Sequence, residues 1–446
     1  MTVPVDPAPA LSKAVAELLR TDEHIGLALP AYSGRSLPNL AATVARAVGA
    51  DDAGAPPLAP PLAGDLDPFS GRRPEGPVVV FLADGFGWFP FERWTQGRRS
   101  PSAARWGRLG RPMTTVFPTT TVSALVSLST ATCPSQHGIV GYRQFLPRFG
   151  VVADMLRMSP VGVAPPETLV GVDWSPSLVS GAPSIFRRGV PGGIAVSREK
   201  FEGTGFTRIL YDGAQYVPYA TASDLAHHLA DLIDRPTPPP VIYAYWDELD
   251  TVHHRRGPSD RLFAFEADRL AHLLAYVAEQ VAPARARATT VVVTADHGQV
   301  PTDPARQLRI DRLPDVTAEM ARPLAGDRRA GYFAAHPGRA EALRAALEPH
   351  LLPGSRVLPM DEALRSGLFG PPPYHPEIDA RLGDFLVLVP VPGGFVSLPP
   401  GGRPSTRGDL LGGHGGLAPE ELVVPLVCGS LAEFGHGPGD PPGARG

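Results

Sequence analysis

VVVFLADG, Val78 to Gly85, is an unbroken apolar run rich in β-branched residues that stops at an Asp-Gly pair. A run of that kind, without polar alternation, is the pattern of a strand covered on both faces. VIYAYW (Val241 to Trp246) and TTVVVTA (Thr289 to Ala295) repeat it. The first leads into DELDTVHHRRGP, and the second ends in Asp296-His297-Gly298. Helical periodicity fills the spaces between, over Thr221 to Ile233 and in a long amphipathic segment that Ser259 opens. Buried strands alternating with helices predict an α/β fold with a largely parallel sheet. In such sheets ligands bind beyond the carboxyl ends of the strands. Asp84, Asp250 and Asp296 all fall there. One such aspartate is an ordinary turn residue, but three on one edge repel each other unless a cation lies among them.

Composition narrows the function classes. The chain has 446 residues, 41 basic and 45 acidic, for a net charge of −4 and no long basic block. That excludes an evident patch for nucleic acid or for an anionic membrane surface. Two cysteines, Cys133 and Cys428, make no disulfide framework and no CxxC pair, so both read as buried free thiols. No apolar run approaches the roughly 20 residues of a membrane span, and the first twenty residues lack a signal pattern. A soluble, cytoplasmic protein is the expectation.

Outward from the strands, helices are expected near Leu11 to Leu19 and Leu40 to Val48, then a Pro/Gly/Ala-rich linker. Residues 1–76 read as a helical appendage with that linker, 77–298 and 404–430 as the core, 299–403 as a smaller inserted cap, and 431–446 as a disordered tail. Met113 to Phe117 and the segments GVVADML, TLVGVDW and TRILY between 142 and 220 carry strand-like patterns. In the cap region the patterns predict a strand near Gly331 to Ala335, a helix near Glu341 to Leu347 and a strand at Phe385 to Pro390. Leu422 to Cys428 reads as a closing strand.

FPTTTVSALVSLSTATCPSQHG, Phe117 to Gly138, sets three threonine hydroxyls directly before a helical run. Such a hydroxyl ordinarily caps the helix, yet the same position also attracts phosphate. Asp250 and His254 are four apart, Asp296 and His297 are adjacent, and His414 sits among glycines in GGHGG. Mixed carboxylate and imidazole donors suit zinc, or manganese, better than magnesium or calcium.

With ADG at Ala83 to Gly85, FPTTT and the later His137-Gly138, LDTVHHRRGP, TADHG and GGHGG in this order, the chain resembles the alkaline phosphatase superfamily. The nearest branch is that of the nucleotide pyrophosphatases/phosphodiesterases. The resemblance implies a three-layer fold and two divalent metal ions. Asp250, His254 and His414 would hold one; Asp84, Asp296 and His297 would hold the other beside Thr121, itself the nucleophile and a metal ligand. It further implies a small phosphate ester as substrate, a nucleotide among the options, and a phospho-threonine intermediate hydrolysed by water.

The chain departs from that pattern beside the nucleophile. Ala124 stands where the branch places an asparagine donor, and Val122-Ser123 stand where it has Phe-Pro. Ser123 and Ser127 are the substitute donors in reach by sequence, and His253, in place of a glycine, reads as either a supporting or a surface residue. The leading expectation is therefore a phosphodiesterase or nucleotide pyrophosphatase. The alternatives are a phosphomonoesterase or phosphonate hydrolase on the same scaffold, and a metal-binding homologue without catalysis. The sequence does not set the oligomeric state.

Overall fold

The three apolar runs lie side by side. Val78–Ala83 is flanked by Val241–Trp246 and Thr290–Thr294, parallel to both, with Val78 opposite Val241 and Thr290. The computed structural model describes residues 11–50, 56–97, 100–163, 165–396 and 410–436. Within it the central sheet has seven strands in the order Gly110–Thr114, Val423–Ser430, Thr290–Thr294, Val78–Ala83, Val241–Trp246, Ile194–Arg198, Gln215–Tyr219. The pairs from Thr290–Thr294 to Gln215–Tyr219 are parallel, while Val423–Ser430 runs antiparallel to both neighbours. Helices flank the sheet. Asp260–Gln280, capped by Ser259 as expected, packs on Ala222–Ile233 and on Trp88–Gln96.

A second, largely antiparallel sheet stands apart, ordered Arg356–Pro359, Phe385–Leu388, Ala330–Phe333, Ala325–Gly326, Arg143–Leu146, Val151–Asp154, Ser159–Pro160. Its strands come from two separated stretches, 143–160 and 325–388. The N-terminal helix Leu37–Ala47 is buried along most of its length and packs on Thr121–Thr130. Its capping box joins Ser36 to Asn39, whose side chain also reaches the Tyr32 and Pro60 carbonyls.

Several local expectations differ from the fold. TRILY is not a strand: Thr204 accepts the Thr207 N–H and opens the helix Gly205–Leu210, with Phe206, Ile209 and Leu210 on its buried side. A cap and an apolar face outweigh the β propensity of the residues. TLVGVDW joins neither sheet: Leu169 donates its N–H to the Met158 carbonyl at 3.0 Å, while Val170 and Trp174 close turns on the Glu167 and Gly171 carbonyls. The strand expected at Met113 to Phe117 is Gly110–Thr114. The expected tail does not begin at 431, because Leu431–Phe434 is a helical turn with Leu431 and Phe434 buried. Residues 437–446 of that tail, 51–55 of the linker and 397–409 lie outside the described residues. Among the described residues no helix is long and apolar enough to cross a membrane.

Candidate active site

The strand ends converge as the sequence spacing demands. Asp84 follows Val78–Ala83, and Gly85 behind it has φ +75°, with Asp250 Cα only 3.2 Å from where a side chain would begin. The left-handed backbone favours glycine here, and the close approach of Asp250 adds to the preference. Asp250 donates its backbone N–H to the Asp84 carbonyl (3.2 Å) and lies in the helix Glu248–Arg256. One helical turn on, His254 brings Nε2 to 3.3 Å from Asp250 Oδ1. His297 Nε2 stands 3.5 Å from Asp84 Oδ1 and 3.4 Å from Asp296 Oδ2. His414 Nε2 is 3.9 Å from Asp250 Oδ1, and its ring stacks on His297 with centroids 3.6 Å apart.

The remaining atoms of each group are already committed. Asp296 Oδ1 accepts from Gly85 N–H (3.1 Å) and His297 N–H (3.0 Å), leaving Oδ2 buried with no hydrogen-bond partner. Tyr245 donates its hydroxyl to Asp84 Oδ2, and Asp84 Oδ1 is likewise unpartnered. Gln299 donates its amide to Asp250 Oδ1. The histidines follow one rule. His254 Nδ1 meets the Gly412 carbonyl at 2.8 Å, His297 Nδ1 that of Gly298 at 3.0 Å, and His414 Nδ1 that of Thr119 at 2.9 Å. A carbonyl only accepts, so each Nδ1 carries the proton and each Nε2 presents a lone pair to the carboxylates.

Two groups of donor atoms lie within 4.8 Å of one another: Asp84, Asp296 and His297, and Asp250, His297 and His414. His254 adjoins the second. The unpartnered buried oxygens of Asp84 and Asp296, facing the His297 lone pair, fit a divalent cation, and Asp250, partly exposed with the Gln299 amide on Oδ1, sets a carboxylate beside the His254 and His414 lone pairs in the second group. Their mutual repulsion registers in the acidities. Burial, then Asp296 and Asp250, push the Asp84 carboxyl well above the usual range. Burial and the neighbouring His297 and His254 hold His414 well below the histidine range, so it is neutral.

Thr121 opens the helix Thr121–Thr130, with extended Thr120 as its N-cap residue. Thr121 Oγ1 lies 3.1 Å from His297 Nε2. Thr119, by contrast, is structural: its hydroxyl donates to the Gly416 carbonyl and accepts the Gly415 N–H, both at 3.0 Å, tying the nucleophile loop to the His414 loop. Thr121, Asp250, His254 and His414 line a cleft of about 720 Å³. All seven residues singled out by sequence (Asp84, Thr121, Asp250, His254, Asp296, His297, His414) therefore meet at one sheet edge.

The neighbouring expectations fare differently. Ser127 is no substitute donor, because it is fully buried away from the cleft, with its hydroxyl 2.9 Å from His137 Nε2. His137 Nδ1 accepts the Ile139 N–H (3.0 Å), so His137 is the donor to Ser127 and supports the loop after the helix. Ser123 and Ala124 are fully buried, and neither lines the cleft. His253 is buried rather than on the surface, and burial beside His254 lowers its pKa to about 4. Tyr245 and Gln299 were not singled out by sequence. Tyr245 was hidden inside an apolar run; its position one residue before the strand's last is the only signal it offered.

Residues 78–415 match the family model described as type I phosphodiesterase / nucleotide pyrophosphatase. No curated protein sequence matches the chain. Among solved structures, murine ectonucleotide pyrophosphatase / phosphodiesterase 5 is similar with a TM-score of 0.58 and 18% identity, over 78% of this chain and 87% of that one. An inactive form of the same murine protein, in complex with AMP, gives 0.59 and 18% over 79% and 87%. Phosphonoacetate hydrolase from Sinorhizobium meliloti 1021, in complex with phosphonoacetate, gives 0.55 and 19% over 84% and 94%.

Proposed function

We propose, from the premise that the chain belongs to the type I phosphodiesterase / nucleotide pyrophosphatase family of the alkaline phosphatase superfamily, hydrolases of phosphoric ester and phosphoanhydride bonds, that it cleaves phosphodiesters or nucleotide pyrophosphates with Thr121 as nucleophile. The observation that carries this reading is the meeting of Thr121 Oγ1 with the unpartnered oxygens of Asp84 and Asp296 around His297. Asp250, His254 and His414 would hold one divalent ion, and Asp84, Asp296 and His297, with Thr121, the other. Carboxylate and imidazole donors favour zinc, with manganese the alternative. Bound there, such ions lower the pKa of an oxygen nucleophile and neutralise phosphoryl charge.

The chain's own residues do the rest. Thr121 Oγ1 loses its proton to solvent and bonds to phosphorus as the bond from phosphorus to the ester or anhydride oxygen breaks on the opposite side, and the departing oxygen takes up a proton from solvent. Water then attacks the phospho-threonine, releasing phosphate product and restoring the hydroxyl. The first-turn N–H groups of the helix Thr121–Thr130 stand at the dipole's positive end, where they stabilise phosphoryl oxygens.

Thr121→Ala should lower turnover by on the order of 10³-fold or more with the fold intact, while Thr119→Ala should show mainly a stability loss. Full activity in Thr121→Ala would overturn the assignment. The structural likeness to phosphonoacetate hydrolase and the absent asparagine at Ala124 support a second reading, phosphonate or monoester hydrolysis on the same site. Rates on an aryl diester, an aryl monoester and a phosphonate separate the two readings.

A further inference from the structure

By sequence the segment ahead of Val78 is an appendage with a linker, and it precedes the residues 78–415 that match the family model. Its contacts belong to a different kind of element. Separate pieces of it reach both ends and one side of the helix Thr121–Thr130, whose residues are all buried. In front of that helix, Tyr32 Oη accepts the Phe117 N–H at 3.1 Å and donates to the Leu368 carbonyl at 3.2 Å. Alongside lies the helix Leu37–Ala47. Behind, the Ala59 N–H donates at 2.8 Å to the carbonyl of Ala131, the residue that ends the helix in a left-handed conformation (φ +56°).

Asn39 holds these pieces together. Its amide donates to the Tyr32 carbonyl at 2.8 Å and to the Pro60 carbonyl at 2.9 Å, while its Oδ1 accepts the Ser36 N–H at 3.0 Å. Thr114 anchors them to the edge of the central sheet. Its Oγ1 accepts the Ala31 N–H at 2.8 Å, and its own N–H donates to the Arg35 carbonyl at 2.9 Å. Packing alone accounts for Leu40, Ala41 and Val44, which are buried apolar residues of Leu37–Ala47. It does not account for the Tyr32 hydroxyl, since a phenylalanine ring would fill the same space. The hydroxyl serves the Phe117 N–H, at the start of the loop that ends in Thr121.

We propose that residues 31–47, with Ala59, clamp the nucleophile helix, and that Tyr32 is a positioning residue for Thr121. Through the Phe117 N–H it fixes where the loop begins, and so where Thr121 Oγ1 stands over the carboxylate–histidine floor. Thr119 holds the same loop from the other side, on Gly415 and Gly416. The inference rests on the reading of Thr121 as nucleophile. A displacement of about 1 Å in a reacting atom can cost on the order of a hundredfold in rate, so a distant hydroxyl bears on turnover.

Tyr32→Phe keeps the ring and removes the hydroxyl. The metal-loaded full chain would be assayed on whichever of an aryl diester, an aryl monoester and a phosphonate the wild type turns over fastest. In Tyr32→Phe kcat should fall about tenfold, while KM and zinc bound per chain stay at wild-type values, because cleft and floor are untouched. Tyr374→Phe removes a hydroxyl that meets the Leu364 carbonyl at 3.3 Å, far along the chain from the nucleophile loop, and should leave kcat unchanged. Wild-type kcat in Tyr32→Phe would overturn the proposal. So would an equal loss in Tyr374→Phe, or a rate loss matched by lost zinc, since the effect would then run through the fold or the floor. Amide hydrogen exchange on peptides spanning 115–125 gives a readout apart from turnover, and Tyr32→Phe should speed it there. Were none of the three substrates hydrolysed by the wild type, the function reading fails instead, and exchange alone judges the clamp. Faster exchange confined to 115–125 supports it; an unchanged pattern overturns it.

Discussion

Asp84 has one oxygen for the cluster and one for Tyr245, and that division is the most exposed weakness of the site at the scale of single residues. Tyr245→Phe keeps the ring but removes the donor, leaving a buried carboxylate oxygen without its partner. The loss should be about 10- to 100-fold in activity or in apparent metal affinity, read from activity against added zinc. Buried histidines away from the cluster predict a pH effect. Burial holds His137 well below the histidine range, and burial beside Arg381 lowers His375 to about 4. The unfolded chain therefore takes these protons first as pH falls below the ordinary histidine value of about 6.5. Folding stability should be intact above that point and decline toward pH 4, so Tm measured from neutral to acidic pH should fall. In His375→Gln the decline should be shallower; an unchanged slope would refute the assignment.

Elements whose partners lie in the same sheet were legible from sequence, and those defined by distant contacts were not. Val78–Ala83 and Val241–Trp246 have the very limits their apolar runs predict, because burial on both faces writes itself directly into residue type. The metal-type residues were legible for a related reason, since Asp84 and Asp296 lie just past strand ends and Asp250 and His254 share the helix that follows Val241–Trp246. Gly205–Leu210 was misread because its identity rests on one cap. The second sheet joins 143–160 to 325–388, a pairing that no local pattern encodes. Arg381 shows what such contacts are worth. It is fully buried, donating to the Gly138 carbonyl at 2.8 Å, the Val179 carbonyl at 2.7 Å and Glu377 at 2.8 Å. Arg381→Met strands two carbonyls and a carboxylate, and should cost about 3–5 kcal/mol in denaturant unfolding.

Across the whole molecule, the two sheets are joined at the site itself. Arg329, beside the second sheet's strand Ala330–Phe333, pairs with buried Glu421 at 2.8 Å. Glu421 in turn accepts the Gly416 and Ala418 N–H groups at 3.0 Å each, shaping the loop that carries His414. Arg329→Met leaves that carboxylate unpaired and should lose stability by about 3–5 kcal/mol, together with activity, since the His414 loop is no longer anchored. Chelation tests the cluster as a unit. On the proposed two-metal reading, removing the ions leaves Asp84, Asp250 and Asp296 facing one another, and Tm should drop in chelator and recover with zinc.

The three Nδ1-to-carbonyl bonds carry one more implication. Each imidazole is oriented by main chain, which no side-chain substitution can rewrite. Directed evolution of this scaffold can therefore exchange the cleft's walls while the donor geometry of the floor is inherited unchanged from the backbone trace. Retuning the floor would demand altering the loops Gly412 to Gly416 or Phe117 to Thr121 as pieces of chain.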